Sequence, residues 1–341
     1  TNGLSSDLWS KILPLETVVQ LADPGGFKDH SKRTLRSFSV RDTRTLGVES
    51  RRTSTAPVDS QVVAATIPGQ SATVLFTMGT GRVAAEASDD GTPLWEIDND
   101  WTQTGNLWRR FALPAGACTV AACARMLVAS NSYTSNTTGA YLVLVDTSNG
   151  SVLWQSEPQG GQGGGDYWAI ALGDLNGDGV ADIVSVRRKD LSNSNIVEAF
   201  DGTTHQSLWS AELSNATPCA VGISTKSTPR VAILQENIAT LLDGGNGSVI
   251  MAQPADATAL YYGCDIQFDP FMHGEGVWIV LGGPSIQWLD ADFGAPPQLL
   301  DARGAGTEVS RGRGAVFAAG IEGIYRIQFP RDDLFFDGMG D

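Results

Sequence analysis

Short stretches in which apolar and polar residues alternate recur along the chain, the pattern of half-buried β-strands. Three of them, Leu142–Asp146, Ile196–Asp201 and Ile238–Asp243, each end at an aspartate that a short turn follows. A second strand then brings a large apolar residue eight positions after the aspartate. We interpret each unit as a β-hairpin, in which the aspartate accepts hydrogen bonds from turn amides and a glycine supplies the positive φ of the turn.

A large residue recurs near the start of the second strand of each hairpin, and where it is a tryptophan we expect its indole to pack against the neighbouring unit. These anchor positions are Trp95, Trp154, Trp209, Met251 and Gln298. Two further strand candidates precede each hairpin, which gives four short strands in a unit of about 50 residues. Such a period is typical of the blades of a β-propeller.

The repeat predicts an all-β fold, a single β-propeller for which we favour seven four-stranded blades, with six or eight as alternatives. Residues 1–60 form an N-terminal segment, residues 61–330 the blades and residues 331–341 a C-terminal tail. The last blade is short of strands. We therefore expect a strand of the N-terminal segment, Thr17–Leu21 or Thr34–Val40, to complete it, which would leave no open sheet edge.

One stretch has the pattern of a cation-binding loop. Its oxygen donors are the side chains of Asp174, Asn176, Asp178 and Asp182 and the main-chain carbonyl of Val180. Three carboxylates on so short a loop suit Ca²⁺, which takes six to eight oxygens, better than Mg²⁺, which keeps its waters. The loop is not an EF-hand, because Ser185 stands where an EF-hand has its bidentate glutamate. We expect a structural Ca²⁺ that ties two strands of one blade.

Two family resemblances follow from these residues. Ala171–Val184 resembles the integrin-α-like calcium repeats, also called FG-GAP or VCBS repeats. The hairpins with an aspartate, a turn and a Leu-Trp pair resemble the blades of PQQ-like, or quinoprotein-like, propellers over roughly residues 80–300. The first resemblance implies calcium binding, and the second raises the hypothesis of a quinone-dependent enzyme.

Composition narrows the choice of partners. The chain of 341 residues carries 38 acidic and 23 basic residues, a net charge of −15, so nucleic-acid binding is not its main task. The longest apolar runs, such as Val277–Leu281, hold about five residues, far short of the roughly 20 that a spanning helix needs.

The four cysteines favour two disulfides and an oxidising compartment, although buried thiols also fit. Cys219 and Cys264 hold matching places in consecutive units and form our preferred pair. Cys118 and Cys123 are five residues apart and form the second. We expect an exported protein that is extracellular or at the cell surface, with the periplasm as the alternative.

Catalytic motifs are absent from the sequence. It has no Gly-x-Ser-x-Gly elbow, no P-loop, no HExxH and no adjacent cysteines of the quinoprotein alcohol dehydrogenase kind. Of its three histidines, His205 falls in a hairpin turn, where an exposed polar residue is the ordinary reading. We therefore expect a non-enzymatic scaffold that binds a protein or a cell-surface glycan. The alternatives are a quinoprotein-like or polysaccharide-cleaving enzyme with its site in the central channel, and a self-assembling subunit of a surface polymer.

Overall fold

A computed structural model gives the fold. It describes residues 17–22, 35–42, 48–58, 61–66, 73–79, 82–87, 91–98, 106–114, 124–132, 140–159, 167–189, 194–214, 216–224, 228–255, 264–269, 276–282, 285–301, 306–312, 315–320 and 323–327. The predicted C-terminal tail and the predicted pair of Cys118 and Cys123 lie outside these residues. In the part of the chain so described, no helix is long and apolar enough to cross a membrane.

The described strands form seven antiparallel sheets, each built from strands that follow one another in the chain. The first sheet has β1 (Thr17–Ala22), β2 (Leu35–Asp42) and β3 (Val48–Val58). The second has β4 (Gln61–Thr66), β5 (Thr73–Gly79), β6 (Arg82–Ala87) and β7 (Pro93–Asp98). The third has β8 (Asn106–Ala112), β9 (Arg125–Ser132), β10 (Leu142–Asp146) and β11 (Val152–Gln155).

The fourth sheet has β12 (Tyr167–Gly173), β13 (Asp182–Arg188), β14 (Asn195–Phe200) and β15 (Ser207–Leu213). The fifth has β16 (Pro218–Ser224), β17 (Arg230–Gln235), β18 (Ile238–Asp243) and β19 (Val249–Pro254). The sixth has β20 (Cys264–Asp269), β21 (Val277–Gly282), β22 (Ser285–Asp290) and β23 (Gln298–Asp301). The seventh has β24 (Gly306–Gly312), β25 (Ala315–Gly320) and β26 (Gly323–Ile327).

Burial divides the strands of a sheet into inner and outer ones. All but the last residue of β13 and all but the first residue of β17 are buried, whereas β19 is exposed along most of its length. The strand-forming residues of these inner strands are largely Val, Ile, Leu and Ala, which suit a sheet that is covered on both faces. The fourth strand of each of these sheets is its outer edge.

The hydrophobic cores lie between sheets. Val184 of β13 and Val197 of β14 share one core cluster with Val221 of β16 and Ile233 of β17. Other clusters join the second sheet to the third, the third to the fourth and the fifth to the sixth. The first strands of the fourth to seventh sheets, β12, β16, β20 and β24, lie against one another in that order. The sheets are thus packed face to face in chain order.

The N-terminal strands differ from our expectation. Thr17–Ala22 pairs with Leu35–Asp42 over six residues, and Leu35–Asp42 pairs in turn with Val48–Val58. Among the described strands, β24–β26 therefore pair only with one another, and no N-terminal strand completes the seventh sheet. Closing a short local loop costs less entropy than pairing across the whole chain, which favours a separate first sheet. The division of the chain at residues 60 and 330 stays a prediction.

Candidate functional site

The predicted cation loop connects β12 to β13 at one end of the fourth sheet. Gly177 and Gly179 have φ of +81° and +83°, the left-handed region that glycine adopts without strain. An added Cβ would meet nothing within 4 Å at either position. The loop therefore needs these glycines for their backbone conformation, and space plays no part.

Side-chain oxygens of the loop bind its own backbone. Asp174 accepts hydrogen bonds from the amides of Gly177, 2.6 Å away, and Gly179, 3.0 Å away. Asn176 Oδ1 accepts one from the Asp178 amide at 2.9 Å, and Asp178 Oδ1 accepts one from the Val180 amide at 2.7 Å. The bonds of Asn176 and Asp178 are typical Asx turns, and together with those of Asp174 they curl the loop as the sequence pattern predicts.

Asp182, at the start of β13, is fully buried. Its Oδ2 accepts hydrogen bonds from the amides of Leu175, at 2.8 Å, and Asn176, at 3.2 Å, while its Oδ1 accepts one from Gly202 at 2.7 Å. Burial raises the pKa of this carboxyl, and the three amide donors act in the opposite direction. Asp182 thereby joins the loop to the turn between β14 and β15.

That turn supplies a residue which the sequence analysis did not connect with the loop. Asp201 Oδ2 accepts a hydrogen bond from Asn176 Nδ2 at 2.9 Å. Its other oxygen, Oδ1, accepts hydrogen bonds from the amides of Thr203 and Thr204 and from the Thr204 hydroxyl. These donors, Thr204 first, lower the pKa of Asp201. The repeated aspartate at the end of each first hairpin strand was the only sequence signal for this position.

The structure therefore brings Asp174, Asn176, Asp178 and Asp182 onto one short loop. Among the described residues, no three or more His, Cys, Asp or Glu side chains are grouped as a metal site. The side-chain oxygens of these four loop residues accept hydrogen bonds from backbone amides. The donor set of carboxylates, an amide oxygen and a main-chain carbonyl still has the chemistry that Ca²⁺ prefers. Calcium binding by this loop stays a prediction.

Two of the predicted tryptophan anchors pack against the next sheet. Trp95 Nε1 donates to the carbonyl of Thr147 at 2.8 Å, and Trp209 Nε1 donates to the carbonyl of Gly244 at 2.7 Å. Each indole lies on a glycine with positive φ. A Cβ on Gly150 or Gly247 would come within 2.8 or 2.4 Å of the ring. The expected packing of the indole against the neighbouring unit is confirmed for both.

The joint between the third and fourth sheets has a different construction. His205, with φ of +59°, stands at the turn position that Gly150 and Gly247 hold elsewhere. Its ring stacks on Trp154, with the centroids 5.0 Å apart and the planes 13° from parallel. His205 Nε2 is buried without a hydrogen-bond partner. Our expectation of an exposed turn histidine is therefore wrong, because the aromatic anchor covers it.

Charges around His205 come from both sheets. Arg125, at the start of β9, donates to the carbonyl of Gly202 in the same turn. Burial lowers the pKa of His205, the positive charge of Arg125 lowers it further, and Asp201 opposes this shift. These effects favour the neutral form of the imidazole at this inter-sheet contact.

A comparison with solved structures identifies the fold. The chain superposes on the WD40 domain of Pan2 from Neurospora crassa with a TM-score of 0.61, covering 96% of this chain and 90% of that one. The fold is a β-propeller. The predicted all-β propeller is confirmed, while the sequence identity of 13% supports no statement beyond the fold. No family model and no curated protein matches the chain.

Proposed function

We propose that the protein is a non-enzymatic scaffold, a seven-bladed propeller that holds a protein partner. The observation that carries this proposal is that the loop carboxylates of the candidate site are bound to the loop's own backbone. Asp174, Asp178 and Asp182 all accept hydrogen bonds from backbone amides. Carboxylates used in this way hold a backbone in place, whereas a general acid or base needs an oxygen that faces its substrate. Likeness to a WD40 domain supports a scaffold by analogy of fold alone.

Seven blades are supported by the succession of sheets. The described strands give five four-stranded sheets and two of three strands, at the two ends of the series. A disc of packed sheets presents wide, rigid faces, which suits binding without a large change of shape. Purification of the chain from its own host, followed by identification of what co-purifies with it, tests this function. A stoichiometric protein supports it, and an organic redox cofactor or cleavage of a polysaccharide contradicts it.

We further propose that the loop binds one Ca²⁺ through Asp174, Asn176, Asp178, Asp182 and the carbonyl of Val180. The supporting observation is that one loop, curled by two positive-φ glycines, already collects these donors. A Ca²⁺ there would offset two of the three negative charges of these carboxylates and stiffen the end of the fourth sheet. This is the chemistry of the integrin-α-like repeats that the sequence resembles.

Removing calcium should lower the melting temperature of the wild-type protein. Calcium at about 100 times its Kd stabilises the folded state by about 2.7 kcal/mol. Asp178→Ala should melt at the same temperature with Ca²⁺ or EDTA, in differential scanning calorimetry. The control is Asp146→Ala, which removes an Asx turn of another hairpin and should keep the calcium response. A wild-type melting temperature that EDTA leaves unchanged would contradict the proposal.

Export is proposed from the cysteines. Cys219, on β16, is disulfide-bonded, and structural disulfides persist in oxidising compartments. We propose Cys264 as its partner because Cys264 begins β20, the strand that lies against β16. The protein then acts outside the cell or at its surface. A partner peptide containing Cys264 in non-reducing peptide mapping supports this pairing, and any other partner contradicts it.

A further inference from the structure

The outer edge of the fifth sheet departs from the pattern of the sheets before it. In β7, β11 and β15 the third residue is a tryptophan that packs on the following sheet. In β19 that position is Met251, which is 41% exposed. The two residues before it, Val249 and Ile250, are 61% and 37% exposed. Three consecutive large apolar side chains therefore face solvent on an edge strand.

The reason is that the sixth sheet supplies the contact instead. Phe293, in the turn between β22 and β23, is fully buried and has φ of +57°. It lies edge-on to Trp278, with the ring centroids 6.2 Å apart, in the core shared by the fifth and sixth sheets. Its carbonyl accepts a hydrogen bond from Gln253 Nε2 of β19. Because this turn residue fills the joint, Met251 is not needed there.

The backbone of β19 is also available. This strand is the last in the order of its sheet, so its outer side has no partner among the described strands. Natural edge strands are commonly protected by lysine, proline or short length. Val249, Ile250 and Met251 carry no charge, and the six-residue strand has its single proline at its end. An exposed edge of this kind favours the addition of an extended segment.

The charges beside the edge indicate what kind of segment fits. Asp243 precedes the turn that leads into Val249, and Asp292 lies in the turn that Gln253 contacts. Between them is one arginine, Arg230, whose guanidinium is 3.6 Å from Asp243 and 3.8 Å from Asp292. Two carboxylates share one half-buried cation, and Asp292 is 71% exposed. The end of the edge is thus acidic, as is the whole chain with its net charge of −15.

We infer that the edge of β19 binds an extended segment of a different protein, with apolar residues along the strand and a basic residue near its end. This inference rests on the proposed scaffold function and locates its binding surface. A second copy of the chain is disfavoured as the occupant, because two copies of net charge −15 repel each other. Main-chain hydrogen bonds supply affinity, and the apolar and basic side chains supply selectivity.

The test uses a fluorescein-labelled nonapeptide of sequence KVTVKVTVK and its counterpart in which glutamate replaces every lysine. Wild-type protein should bind the basic peptide in fluorescence anisotropy and should not bind the acidic one. Binding should slow hydrogen exchange over residues 247–254. The double variant Val249→Lys with Ile250→Lys should lose about tenfold in affinity. The matched control, Val152→Lys with Leu153→Lys at the same strand positions of β11, should bind like the wild type.

Three results would overturn the inference. One is equal binding by the β19 and β11 variants, and another is no binding of the basic peptide by the wild-type protein. The third is a wild-type dimer in sedimentation velocity that the β19 variant abolishes, since the occupant would then be a second copy. The first two results exclude this surface and leave the scaffold function intact, because that function is tested separately, by what co-purifies with the chain from its host.

Discussion

At the residue scale, Asp182 joins two turns of the fourth sheet, a role that its position in the sequence does not indicate. The pattern of oxygen donors predicts it as the last ligand of a cation loop, and in the structure its fully buried carboxylate also joins two turns. This second role depends on Gly202, which lies 20 residues further along the chain and meets Asp182 only after β13 and β14 have paired. No local pattern could reveal that contact.

Protonation of His205 is predicted to weaken the joint between the third and fourth sheets. Its folded pKa is lowered, so the folded protein binds the proton at a lower pH than the unfolded chain, whose histidine titrates near its ordinary value of about 6.5. The unfolded state therefore binds more protons below that pH, and stability falls as the pH is lowered towards the folded pKa. Urea unfolding followed from pH 7.5 down to pH 5 measures this loss.

The control for His205 is His205→Gly, because glycine holds the same turn position in the neighbouring hairpins and tolerates the positive φ. This variant should show a shallower fall in stability over the same pH range, since the titrating group is gone. An identical fall in the two proteins would show that other groups cause it.

At the scale of the element, the hairpin and its anchor account for how one sheet holds the next. Gly247→Ala is expected to destabilise the protein by about 2–4 kcal/mol, because the methyl group both strains a positive φ and meets the Trp209 ring. Gly177→Ala has a similar φ in open space and should cost only about 1–2 kcal/mol. Chemical denaturation of both in EDTA gives the difference. Equal losses would mean that the indole contact contributes nothing.

The same element shows how far the sequence predicts the fold. Alternation, the terminal aspartate and the anchor residue are local, so they predict the hairpins and the packing of Trp95 and Trp209 on the next sheet. At the contact between the fifth and sixth sheets, Phe293 fills the place that an anchor at Met251 would take. This was not predicted, because Phe293 comes from a turn of the sixth sheet. The separate N-terminal sheet was missed for a related reason, since its strands carry no hairpin signal that matches the repeat.

At the scale of the whole molecule, sheets pack in chain order with apolar cores between them, and polar groups gather at turns and edges. A β-propeller fold does not by itself determine a protein's function. What distinguishes this chain is the use of its loop carboxylates for structure and the apolar edge on the fifth sheet. Both features favour a rigid support for another polypeptide over a catalytic channel.

Native mass spectrometry of the protein purified from its own host tests the scaffold function most directly. The account predicts a complex with one other polypeptide, a mass excess of one Ca²⁺ that EDTA removes, and no organic cofactor. Collisional activation should release the partner and leave the calcium-bearing chain. A lone chain that carries a quinone, or that converts a polysaccharide to shorter products, would contradict the account and would favour an enzyme with its site in the central channel.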